Sequence, residues 1–186
     1  MKKFPLAAFM VLFLTACSDA TTNRTSVSSD SVSSTNSTAG NSNKEVKEER
    51  NKQAALASVK GFSEGDVDVI LKDWDPNVLD YGDGSMPPIK GVDSARTGLT
   101  MWLGGMRNFN VNNLIAIAED DMVMVYGTWS GTWKSDIMGM KATGKSFKAN
   151  DVDIFRFNDA GKIVEHRGVQ SMNELARQLG MKLPAQ

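Results

Sequence analysis

Apolar residues recur at two different periods along this chain, and the change of period divides it. Between Lys44 and Phe62 a charged start gives way to Ala55, Leu56, Val59 and Phe62, the spacing of one helical face. Gly61 and Ser63-Glu-Gly65 close that helix, and Asp66 is placed to cap a short second one running through Leu71. Asn77–Tyr81 reads as a short strand, broken by Gly82-Asp-Gly84 and Pro87-Pro88. Asp93 or Ser94 starts a third helix with Ala95, Leu99, Trp102, Leu103 and Met106 on one face. From Phe109 the period becomes two. Phe109–Ala118, Met122–Trp133, Lys145–Phe157 and Lys162–Gln170 read as strands, with Asp120-Asp121 a turn and 134–144 a loop or hairpin tip. Met172, Leu175 and Leu179 then predict a closing helix that ends near Gly180. Three helices followed by a four-stranded antiparallel meander predict an α+β fold, with the sheet curling round the helices.

Residues before Lys44 follow neither period. Lys2 and Lys3 precede an apolar run from Phe4 to Leu14, then Leu14-Thr-Ala-Cys17. A basic start, a short apolar segment and small residues at the cut describe a secretory signal peptide over 1–16, too short to span a bilayer. The tetrad resembles a bacterial lipobox, so Cys17 is expected to be lipidated and to anchor the chain to a membrane of the bacterial cell envelope, the outer membrane in a Gram-negative. Cys17 is the only cysteine, which excludes an internal disulfide. Ser18–Asn43 is almost all Ser, Thr, Asn, Asp, Gly and Ala, a composition that predicts a disordered tether over 17–43, ahead of one domain at 44–186.

Charge adds little to this picture. With 21 Lys+Arg against 22 Asp+Glu the chain is close to neutral, and no basic stripe with interleaved aromatics marks a nucleic-acid surface. One histidine and one cysteine supply no recognisable metal-ligand set, and no cofactor motif is present.

The chemistry centres on a predicted hairpin, Asp151–Phe157 and Lys162–Gln170 around Asn158-Asp-Ala-Gly161. The only histidine, His166, shares a strand face with Gly168 and Gln170. Its expected partner is Asp153, and register decides. A four-residue loop pairs Phe157 with Lys162 and sets Asp153 opposite His166; a three-residue loop pairs Asn158 with Lys162 and sets Asp153 opposite Arg167. Asp75, Asp80 and Asp83 flank the pocket-side loop after the second helix, where a solvated loop explains them equally well.

Gly127-Thr-Trp-Ser-Gly131, Gly139-Met-Lys-Ala-Thr-Gly-Lys145, Asp153-Ile-Phe-Arg156 and Gly161-Lys-Ile-Val-Glu-His166 follow one another in an order and spacing that resembles the SnoaL-like polyketide cyclase group, within the nuclear transport factor 2-like superfamily. The resemblance spans most of Phe62–Gly180. It implies a cone-shaped half-barrel whose curved, mainly antiparallel sheet and N-terminal helices enclose one apolar pocket. It further implies a pocket face bearing Tyr126 and Thr128, with Met122 and Met124, closed by Trp102, Met101 and Met106. Ordinary core packing accounts for the same residues. Departures from the family pattern are specific. Trp129 replaces a histidine in the Gly-Thr-His-Thr-Gly segment. Arg167 replaces a tryptophan, and Gly168 and Ser171 stand where the family carries acids. Tyr126 and Thr128 also occupy the places of the Arg/Asp pair used by epoxide hydrolases of this fold.

Two empty acid positions favour a module that binds a small apolar or aromatic molecule without catalysis, using Tyr126, Thr128, Trp102, Met106, Met124 and Gln170. The alternative is a cyclase, isomerase or hydrolase using His166 with Asp153. A third expectation is an assembly role, with the open sheet face forming a homodimer. A buried His166 touching Asp153 beside a cavity favours the enzyme; a filled interior favours the third.

Overall fold

The structure, a computed structural model, describes residues 36–137 and 139–181. The expected leader at 1–16, Cys17 and the tether as far as residue 35 lie outside these. Helix α1 (Asn36–Glu64) begins eight residues before Lys44. Residues 36–43, expected to be tether, therefore belong to a helix. Extending a formed helix costs far less than nucleating one, so a Lys/Glu-rich segment can carry poor helix formers ahead of it. Lys44 is tied to Glu119 at 2.8 Å and Asp120 at 2.9 Å, and Glu48 accepts the Asp120 N–H at 2.8 Å, fixing α1 to a turn of the sheet.

Helix α2 (Val67–Leu71) starts at Asp66, whose carboxylate accepts the Asp68 and Val69 N–H groups. A Cβ on Gly61 would stand 2.8 Å from Ile70, so the lack of a side chain there lets α2 fold tightly onto α1. After β1 (Trp74–Asp80), β2 (Ile89–Lys90) and α3 (Val92–Gly105) come four long strands: β3 (Met106–Glu119), β4 (Met122–Trp133), β5 (Ser146–Phe157) and β6 (Ile163–Gln170). Helix α4 (Met172–Leu179) closes the chain, capped by Ser171 and ended by Gly180.

The sheet has six strands in the order β2-β1-β6-β5-β4-β3, all antiparallel except β1 with β6. The expected meander β3 to β6 is present; β2 and the parallel placement of β1 beside β6 were not legible. In β3, register shifts bracket Asn108 and Asn113, both with positive φ, which bends that edge strand as bulges do. The core lies between sheet and helices and includes Val59, Ile70, Trp74, Val123, Val125, Phe155 and Ile163.

The β5–β6 hairpin follows neither expected register throughout. Its loop is the three-residue form: Asn158 N–H donates to the Lys162 carbonyl at 2.9 Å, and Gly161 supplies the positive φ of 77°. A bulge at Val164 then shifts the pairing, giving Phe157↔Ile163, Arg156↔Glu165, Phe155↔His166 and Asp153↔Gly168. The extra residue lets Ile163 and His166 face inward together. Asp153 is thus opposite neither His166 nor Arg167, but one diagonal step from His166 on the same face.

Candidate functional site

Strand β4 buries Val123, Val125, Gly127 and Trp129 on its inner face. Together with β5, β6, α3 and α4 this face borders a cavity of about 540 Å³. Its walls are mainly apolar. Phe62, Trp102, Phe109 and Trp129 form one aromatic group, with neighbouring ring centroids 4.8–6.2 Å apart. The charged and amide groups come from β1 and the segment after it, from β5 and from β6: Asp80, Asp83, Asp151, Asp153, His166 and Gln170.

Parallel pairing of β1 with β6 brings Asp80 opposite His166. His166 Nδ1 lies 2.8 Å from Asp80 Oδ1, and Nε2 lies 3.1 Å from Asp153 Oδ1. Trp74 and Phe155 cover the ring, at centroid distances of 5.4 and 5.0 Å. Burial opposes the imidazolium, but hydrogen bonds and charge from Asp153 and Asp80 outweigh it and push the His166 pKa up to about 10. Both ring nitrogens therefore donate at neutral pH. Burial also opposes the Asp80 carboxylate, yet the His166 hydrogen bond and charge, with the Gly82 N–H, hold its pKa below the ordinary value.

Asp151, two residues before Asp153, faces the same way. Burial first, then the negative charge of Asp153, push its pKa up to about 6, against relief from the Val152 and Val169 N–H groups and from His166. The segment after β1 is pinned over this end of the cavity: Tyr81 N–H donates to the His166 carbonyl at 2.9 Å, and Gly168 N–H to the Gly82 carbonyl at 2.7 Å. The Arg167 guanidinium stacks 3.6 Å from the Tyr81 ring centre.

The structure brings His166 and Asp153 together and places Trp102, Met106 and Gln170 on the cavity wall. Tyr126, Thr128 and Met124 do not line it. They project from the outer face of β4, where Tyr126 and Met124 are exposed and Thr128 bonds Asn150. Alternation along the strand gives the inner face to the opposite parity. Gly168 and Ser171 are also accounted for: Ser171 caps α4, and a Cβ at Gly168 would stand in ordinary contact with Asp151 Oδ2, at 3.8 Å. Among the described residues, Glu48, Glu119 and Asp120 cluster closely enough to share an ion, but the Lys44 ammonium already contacts all three carboxylates. No described helix is long and apolar enough to cross a membrane. Cys17 lies outside the described residues.

Sequence reasoning undervalued Asp80 and passed over Asp151. A signal existed for the second: Asp151 and Asp153 share parity with Phe155 and Phe157, an acid pair on an otherwise apolar strand face.

Helices folded over a six-stranded, mostly antiparallel open sheet with one polar-ended cavity define the cone of the nuclear transport factor 2-like class. Residues 52–179 match the family model for SnoaL-like polyketide cyclase, more than half of the chain, and the chain belongs to that family. AclR of Streptomyces galilaeus, provisionally a hydroxylase, is 28% identical with a TM-score of 0.61, over 74% of this chain and 99% of AclR. TsrD of Streptomyces laurentii is 22% identical with a TM-score of 0.62, over 72% of this chain and 97% of its own. A provisional polyketide cyclase from Xanthomonas campestris pv. campestris is 18% identical with a TM-score of 0.65, over 72% and 98%. The last two carry the fold alone. Comparison with curated proteins gave no significant match.

Proposed function

We propose that the cavity takes a small, largely apolar carbonyl compound and carries out acid–base chemistry on it: removal of a proton α to the carbonyl, leading to ring closure or isomerisation. The observation that carries this reading is the buried Asp80–His166–Asp153 cluster at one end of an apolar cavity. Ionisable groups with strongly shifted titration, gathered in a cleft that excludes water, are characteristic of catalytic sites. The objection from sequence was the pair of empty acid positions. Carboxylates reach the cavity instead from β1 and β5, as Asp80, Asp151 and Asp153. Screening small aromatic and alicyclic ketones by thermal shift, then following each stabilising compound by proton NMR, tests the reading. Conversion of a bound ketone supports it. Ketones that stabilise the protein but are never converted would leave the non-catalytic binding module, which the apolar walls favour.

Two further parts of the proposal concern context. The outer sheet face sets Tyr126, Met124, Ile115 and Ile117 in adjoining exposed positions, which suits a second copy of this chain. Light scattering of wild type and Tyr126→Lys tests that: a dimer lost in the variant supports it. Attachment to the cell envelope through Cys17 rests on the lipobox resemblance. Cys17→Ser should abolish lipid labelling and membrane retention.

A further inference from the structure

Acid–base chemistry at this site needs one group that can move a proton, and geometry removes the histidine. Both His166 nitrogens are engaged, by Asp80 at 2.8 Å and Asp153 at 3.1 Å, and aromatic rings lie over the imidazole on β1 and β5. A ring so enclosed has no lone pair to offer and no free N–H. Asp80 Oδ1 also accepts the Gly82 N–H at 2.9 Å, and Asp153 Oδ2 is fully buried.

Asp151 is held differently. It lines the cavity, paired across the sheet with Gln170, and its Oδ1 accepts the Val152 N–H at 2.7 Å. Its Oδ2 is 3.8 Å from where a Cβ on Gly168 would stand. By the resemblance described above, Gly168 stands where the family pattern has an acid. In this chain the Asp151 carboxylate comes within ordinary contact distance of that position from the neighbouring strand.

On the catalytic reading above, we propose that Asp151 is the proton-transferring base, an acid moved from β6 to β5, and that His166 is a positioning residue that keeps its proton. The charged groups that line the cavity with Asp151 are Asp153 on β5, His166 on β6, and Asp80 and Asp83 on and after β1; among the described residues no lysine or arginine borders it. Burial and Asp153 push the Asp151 pKa up to about 6, matched to a base that works near neutrality. In the step itself, Asp151 takes the proton from a carbon α to a carbonyl, and the C–H electron pair passes into an enolate. In ring closure the enolate carbon attacks a second carbonyl of the same molecule, and the resulting alkoxide takes the proton back. In isomerisation the proton returns to a different carbon. Either route restores the carboxylate and needs no oxidant or reductant.

The test uses the full chain with 2-tetralone and 1-indanone in D2O, reading deuterium uptake at carbon by proton NMR. Wild type should exceed the buffer rate, with a single apparent midpoint near pH 6. Asp151→Asn should lose roughly a hundredfold or more. The double variant Asp151→Asn/Gly168→Asp should recover at least about a tenth of the wild-type rate, because a Cβ at 168 meets only ordinary contacts at 3.7 and 3.8 Å and would carry its carboxylate beside position 151. An Asp151→Asn rate within about threefold of wild type overturns the assignment while the catalytic reading stands. No acceleration by wild type with either ketone overturns both. The ring nitrogen signals of the single histidine give a readout free of turnover: both should stay protonated from about pH 5 to about 8.5. A midpoint between roughly 6 and 7.5 would return proton transfer to His166 and overturn the proposal.

Discussion

On neighbouring positions of the β5–β6 pair, two cations each sit between two carboxylates. Arg156, on the outer face, contacts Asp121 at 3.0 Å and Glu165 at 3.4 Å with its side chain 42% exposed. His166, on the inner face, contacts Asp80 at 2.8 Å and Asp153 at 3.1 Å with 13% exposed. Distances barely differ, but surroundings do. Unit charges about 3 Å apart attract by roughly 1.4 kcal/mol in water and roughly 5.5 kcal/mol at an effective dielectric near 20. Arg156 is charged because guanidinium always is at ordinary pH. His166 is charged because its two neighbours make it so, and that dependence turns the inner cluster into something that pH and mutation can dismantle.

Removing the inner cation should have the largest effect. His166→Leu leaves Asp80 and Asp153 buried without a counter-charge, and urea denaturation near neutral pH should show a loss of about 3–5 kcal/mol. A loss under about 1 kcal/mol would put the buried cluster on the same footing as the exposed one.

Next comes pH. The folded pKa of His166 lies above its ordinary value of 6.5, so its stabilisation is complete below about 6.5 and disappears as pH rises through about 10. Over that window the wild type should lose on the order of 3 kcal/mol, and Asp153→Asn, which gives His166 one partner fewer, should lose less. A flat profile up to pH 10 would contradict the inner arrangement.

Asp151 should act with the opposite sign. An acid whose folded pKa is raised costs nothing below its ordinary 3.8, costs more as pH rises to about 6, and costs the full amount above. Asp151→Asn should therefore stabilise the fold at pH 7.5 by roughly 1–3 kcal/mol and hardly at all at pH 4. The same substitution that removes the proposed base should raise the Tm, the trade expected where function holds a charge in an unfavourable place.

The smallest effect belongs to the outer cluster. Arg156→Gln should cost less than about 1 kcal/mol, and most of that should vanish in high salt.

Much of the fold was legible because local period and side-chain burial coincide. The four strands from β3 to β6, the Asp66 cap and the Gly180 stop were read from spacing alone. The site was legible only in part. His166 and Asp153 could be paired by type, but the bulge at Val164 has no marker in Lys162-Ile-Val-Glu-His166, so their diagonal contact could not be anticipated. Asp80 depended on a parallel pairing between segments far apart in sequence, which no local pattern encodes. The inner face of β4 was misassigned because both faces are apolar, Val123 and Val125 on one side and Met124 and Tyr126 on the other. Gly127 and Gly131 carried the missing signal. Phe109 and Leu114 press to where their side chains would be, as happens only on a face covered by other parts of the chain.

The parallel seam between β1 and β6 has a consequence for the order of events during folding. Asp80 and His166 are separated by 86 positions, so their contact closes one of the longest loops in the domain. Closing such a loop costs entropy that only the finished sheet repays, which makes it a late event. Before β6 docks, the imidazole is hydrated and titrates near 6.5; afterwards it stays protonated at pH 8. The lone histidine is therefore a built-in clock. At slightly alkaline pH the moment it captures a proton marks the moment the chain acquires its native topology, and a pH indicator in stopped flow would record it.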